Sequence, residues 1–80
     1  MNAKQAVAQR ILDLCGERGI AINTLANLSG VTPSTVYSML NNKSQNPGIV
    51  SIKKLCDGLD ITLRLFFDDP LFEDLEQEIQ

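Results

Sequence analysis

Apolar residues recur at helical spacing along most of this chain, and helix starts and stops punctuate them. Val7, Ile11, Leu14 and Cys15 fall at i, i+4, i+7 and i+8, one face of a helix predicted over residues 3–18. Lys4, Gln9, Asp13 and Glu17 lie largely away from that face. Asn2 can cap its start, and Gly19 can stop its end. A second helix is predicted over Ile22–Leu28, with Leu25 and Ala26 inward. Its cap position holds Ala21, which has no side-chain acceptor. Thr32 as N-cap and Pro33 as first residue open a third helix over 33–41. Val36 and Met39 face inward there, with Val31 from the turn, while Ser34, Thr35, Tyr37, Ser38 and Asn41 form the other face. Asn42 is expected as a left-handed cap, followed by a polar loop over 43–48. A fourth helix over 49–59 turns Ile52, Leu55, Cys56 and Leu59 inward. A fifth, over 63–67, is capped by Thr62, and Asp69-Pro70 restarts a last helix over 70–78. No strand-like alternation, internal repeat or low-complexity segment appears, so the fold class is all-α.

The stretch Leu25–Lys43, LANLSGVTPSTVYSMLNNK, is the most informative. Two short helices joined by a tight glycine-bearing turn form the unit that presents one helix to a DNA groove.

Bulk properties narrow the alternatives. Eighty residues make one domain. A chain this small buries only about 60% of its unfolded surface, so its stability is expected to be marginal. No apolar run approaches the roughly 18–20 residues of a membrane span. The opening MNAKQAVAQR lacks the apolar segment of a signal peptide. There is no histidine and no CxxC, which removes zinc held by cysteine and histidine and acid/base chemistry by histidine. No metal or other cofactor is expected. Cys15 and Cys56 read as reduced core residues of a cytoplasmic protein.

The net charge of −3 is at odds with a DNA partner until it is divided along the chain. Residues 1–67 carry all seven bases against four acids, a balance of +3, and residues 68–80 carry six acids and no base, a balance of −6. The net negative balance lies entirely in the tail.

In this register the chain resembles the Cro/cI-type helix-turn-helix repressor domains, the Xre family. The markers are Leu25-Ala26, Gly30-Val31-Thr32, Val36, Met39 and Asn41-Asn42-Lys43, then Pro47, Ile52-Lys53-Lys54-Leu55, Leu59, Ile61-Thr62 and Phe66-Phe67. The resemblance implies a five-helix, lambda-repressor-like DNA-binding domain over 1–67, followed by an acidic amphipathic tail helix within 68–80. It implies that the third helix lies in the major groove of double-stranded DNA. By position, Thr32, Pro33, Ser34 and Ser38 would meet base edges, and Thr35, Tyr37, Asn41, Asn42 and Lys43 would lie near phosphates. The starts of the second and fourth helices would offer backbone N–H groups to the phosphate chain. The implied function is a transcriptional regulator, a repressor, acting by binding and not as an enzyme; no small-molecule effector is evident.

Three positions depart from the family. Its usual glutamine at the start of the second helix is Ile22 here. Its arginine–glutamate pair falls at Cys15 and Leu40, which predicts an apolar contact there. The groove-facing residues are short and include no arginine or glutamine for bidentate base recognition. These departures keep a second reading open: a protein-interaction module of the same fold, antitoxin-like or an anti-repressor partner, with weak or no DNA binding. The tail also has several readings. Leu71, Phe72, Leu75 and Ile79 form an apolar stripe that folds back on the domain, makes a homodimer contact, or frays. Its acids are expected to face solvent, away from the groove.

Overall fold

Caps and breakers set the element boundaries. The computed structural model describes residues 1–41 and 46–79. Among these it has five α-helices and no strand: α1 Ala3–Arg18, α2 Ile22–Ser29, α3 Pro33–Leu40, α4 Ile49–Leu59 and α5 Leu63–Phe67, then a 3-10 turn at Pro70–Phe72. α1 opens on a reciprocal cap. The Asn2 side chain accepts from the Gln5 N–H at 2.8 Å, and the Gln5 side chain accepts from the Asn2 N–H at 2.9 Å. Gly19 and Gly30 end α1 and α2 at φ 63° and 69°, where a side chain is strained. Asp60 ends α4 at φ 57°, a conformation its short polar side chain tolerates. α2 runs one residue past its predicted end. α3 stops one residue short, because Asn41 turns extended at ψ 125°. The left-handed cap expected at Asn42 lies outside the described residues.

Every residue that the periodicity turned inward on α1–α4 lies in one buried cluster, with Phe66 of α5 added and Val31 packed against it. Phe66, Ile11, Leu25, Leu55, Val36 and Cys56 are fully enclosed. Cys15 is part of this cluster and Leu40 packs against it, so apolar side chains fill the ground of the family's charged pair. Burial pushes the thiols of Cys15 and Cys56 above their ordinary pKa, which keeps them protonated and unreactive.

α2 packs mainly against α4 and α3. Its approach to α4 depends on Gly58. A Cβ there would run into Ser29 Oγ and stand 3.0 Å from the Ser29 backbone N and Cα. Ser29 Oγ is itself buried without a hydrogen-bond partner among the described residues, the cost of that close approach.

Arg10 is the charged residue in the core, 6% exposed. Its Nε donates to the Phe66 carbonyl at 2.7 Å, Nη2 to the Leu65 carbonyl at 2.9 Å, and Nη1 to Asp69 Oδ2 at 3.0 Å. The guanidinium therefore binds two carbonyls at the end of α5, of which the Leu65 carbonyl also accepts from the Asp68 N–H at 3.2 Å. Asp69 is also the cap of the 3-10 turn, accepting from the Leu71 N–H at 2.9 Å. One ion pair thus joins the middle of α1, the end of α5 and the start of the tail.

The tail departs from the predicted helix over 70–78. After Pro70–Phe72 it is irregular. Phe72 packs edge-on against Phe67 with ring centres 5.0 Å apart and lies 6.2 Å from Phe66. Leu71 and Leu75 are half-buried, and Ile79 is 86% exposed. The chain then returns to the start of α1. The Glu76 N–H donates to the Met1 carbonyl at 3.2 Å, and the Met1 amino group lies 3.6 Å from the Glu76 carboxylate. The Ala3 N–H reaches Glu78 at 3.5 Å.

Candidate nucleic-acid interface

α3 has a buried side and an open side. Val36 and Met39 anchor it in the core, while Ser34, Tyr37, Ser38 and Asn41 are exposed and Pro33 and Thr35 are half-buried. The start of the helix is held by Thr32, whose Oγ1 accepts from the Thr35 N–H and lies 3.0 Å from both Ser34 Oγ and Thr35 Oγ1. Three hydroxyls therefore gather at the first turn, beside N–H groups that the helix does not use. Tyr37 is 53% exposed. Asn42 and Lys43, the remaining expected contacts, lie outside the described residues.

Helix caps are distributed unevenly. Asn2, Thr32 and Thr62 cap α1, α3 and α5 with side-chain oxygens. α2 begins at Ala21 and α4 at Gly48, with no side-chain cap among the described residues. Both cap residues are exposed. The first N–H groups of these two helices are thus left to solvent or a ligand, and helix starts of this kind suit anionic oxygens.

Two contacts at this end of the molecule had no local signal in the sequence. Lys4 of α1 donates to the Asn41 carbonyl at the end of α3, across 37 positions. Glu78 lines a cavity of about 310 Å³ with Lys4, Asn46 and Pro47, next to the start of α4. Glu78 therefore lies near Asn46 and Pro47, described residues of the segment between α3 and α4. Contacts of such range follow from the fold and leave no periodicity to read.

Two short helices across a glycine turn, the second anchored on one side and polar on the other, define a helix-turn-helix domain. The chain belongs to the Cro/C1-type HTH DNA-binding domain family, whose model matches residues 10–64. It is thus a member of a family of DNA-binding regulators, not of enzymes. The crystal structure of prophage Lp1 protein 11 is similar over 94% of this chain and 100% of that one, at 32% identity and TM-score 0.82. A Tyr→Phe mutant of the restriction-modification controller protein C.Esp1396I shares the fold over 85% of this chain and 87% of that one, at 24% identity and TM-score 0.74. No curated protein matches the chain. No helix among the described residues is long and apolar enough to cross a membrane.

Proposed function

We propose that this protein is a sequence-specific, cytoplasmic transcriptional repressor that acts as a homodimer on double-stranded DNA. α3 enters the major groove and occupancy of the site blocks transcription. The observation that carries this reading is the exposed polar side of α3, held out by a side locked in the core. Thr32, Pro33, Ser34 and Ser38 meet base edges. Thr35, Tyr37, Asn41, Asn42 and Lys43 lie along the phosphates, and the uncapped starts of α2 and α4 take phosphate oxygens on their N–H groups. Pro33 cannot donate, and no long bidentate side chain is present. Recognition therefore runs through hydroxyls, methyl contacts, bridging water and the shape of the DNA.

The test is fluorescence anisotropy on DNA selected from a random pool, over a salt series. Neutralising three phosphates per protomer gives a log–log slope of about −2.7 for each. Ser34→Glu combined with Tyr37→Ala abolishes this binding and leaves the fold intact. Absence of saturable binding at low salt by a folded protein would overturn the reading in favour of the protein-interaction module.

A further inference from the structure

We propose that residues 73–79 form an anionic strap, fixed at one end and loose at the other, that competes with DNA phosphate at the start of α4. The inference rests on the DNA-binding reading, which puts a phosphate there. The fixed end is the junction with α5. Asp69 pairs with the buried Arg10 at 3.0 Å, and Phe72 packs on Phe66 and Phe67. Beyond Phe72 no described residue of the strap is fully buried. The loose end lies on the start of α1. The Glu76 N–H donates to the Met1 carbonyl at 3.2 Å, and the Ala3 N–H meets the Glu78 carboxylate at 3.5 Å, long for a hydrogen bond. The ion pair of Glu76 with the Met1 amino group is exposed on both sides. Exposed contacts of this kind hold weakly, so this end can lift while the junction stays in place.

The position of Glu78 gives the strap its effect. Glu78, Lys4 and Pro47 line one cavity of about 310 Å³ that reaches Ile52 of α4. α4 begins at Gly48 with no side-chain cap among the described residues, so its first N–H groups carry partial positive charge. Lys4 adds the full charge of its ammonium. Glu78 answers both, and no base in residues 68–80 offsets it. Groups around one such cavity stand on the scale of a Debye length, about 8–10 Å, so their interaction is felt at low salt and fades as salt rises. A phosphate arriving at the start of α4 meets this carboxylate, and the end of the strap must lift to admit it. The strap does not touch the exposed side of α3. It therefore lowers affinity for all sequences alike and leaves discrimination between them unchanged.

The test is fluorescence anisotropy of the full chain at low and high salt, comparing two variants that each remove one negative charge. Glu78→Gln tightens binding about threefold at low salt, on the selected DNA and on a scrambled duplex alike, and the gain falls away at high salt. Glu73→Gln makes the same charge change outside the cavity and stays within about 1.3-fold of wild type. Thermal unfolding checks the fold, which these exposed positions leave unchanged. In the wild-type complex the Glu76 amide exchanges with solvent faster than in the free protein, because its bond to Met1 opens. Binding by wild type with Glu78→Gln no tighter overturns the strap and leaves the DNA-binding reading standing. So does an equal gain from Glu73→Gln, which makes the effect one of net charge, or a Glu76 amide slowed by DNA. Failure of both wild type and Glu78→Gln to bind any duplex overturns the DNA-binding reading itself, and the strap with it.

Discussion

Arg10 and the first turn of α3 are both polar, hydrogen-bonded spots, and they work in opposite ways. Arg10 is buried, and its Nε, Nη1 and Nη2 donors are committed to two carbonyls of α5 and the carboxylate of Asp69. The Thr32–Ser34–Thr35 hydroxyls are linked only to one another and to one N–H. Their remaining lone pairs and protons face water. The buried charge therefore serves the fold, and the exposed hydroxyls are left available to a ligand. In a chain of 80 residues, charge alone is a poor guide to the functional surface.

The contrast can be broken from either side. Arg10→Ala has the largest effect. It leaves the half-buried Asp69 carboxylate and the Phe66 carbonyl without their donor, a loss of about 3 kcal/mol in urea unfolding. DNA affinity of the protein that remains folded is unchanged. Gly58→Ala comes next. It forces α4 away from Ser29 and costs about 1–3 kcal/mol, read as a lower thermal midpoint. Because α2 carries the turn into α3, a loss of DNA affinity beyond the unfolded fraction would show that the α2–α4 contact also sets the pose of α3.

Thr32→Ala sharpens the comparison, since Thr32 is both a cap and a member of the exposed cluster. Stability falls by about 1 kcal/mol and DNA binding weakens together with it, whereas Thr32→Ser retains both. The smallest change comes from Glu76→Gln with Glu78→Gln. Exposed pairs of this kind contribute about 0–1 kcal/mol, so the melting curve hardly moves. DNA binding at low salt tightens by about two- to fivefold, and the gain disappears as salt screens the tail.

The helices were legible because their signals are local. Thr32-Pro33, Gly19, Gly30 and Thr62 each mark a boundary that one residue's backbone preference decides. The core of α1–α4 followed from spacing alone. Arg10 was not legible, because its partner Asp69 lies 59 positions away and its other acceptors are backbone carbonyls. The tail misled for a different reason. Its apolar stripe has helical spacing, but Glu73 and Glu76, and Asp74 and Glu78, would stack like charges on a helix with no base to offset them. A short isolated helix is marginal even without that repulsion. Phe72 instead joins Phe66 and Phe67. Of the interface, the residues of α3 could be read from pattern and resemblance. The approach of Glu78 and the link from Lys4 to Asn41 could not, since both depend on where the chain's two ends are carried.

The bare helix starts at Ala21 and Gly48 amount to unused thermal tolerance. Ala21 already has the extended backbone of a cap, at φ −81° and ψ 161°, so Ala21→Ser could fill it without rearrangement. The gain would be about 0.5–2 kcal/mol, a large fraction of what a domain this size holds. The inserted hydroxyl would compete with a phosphate for the same N–H groups. A hardier protein with a poorer grip on DNA is the expected exchange, and it gives selection a reason to leave an easily gained stabilisation unclaimed.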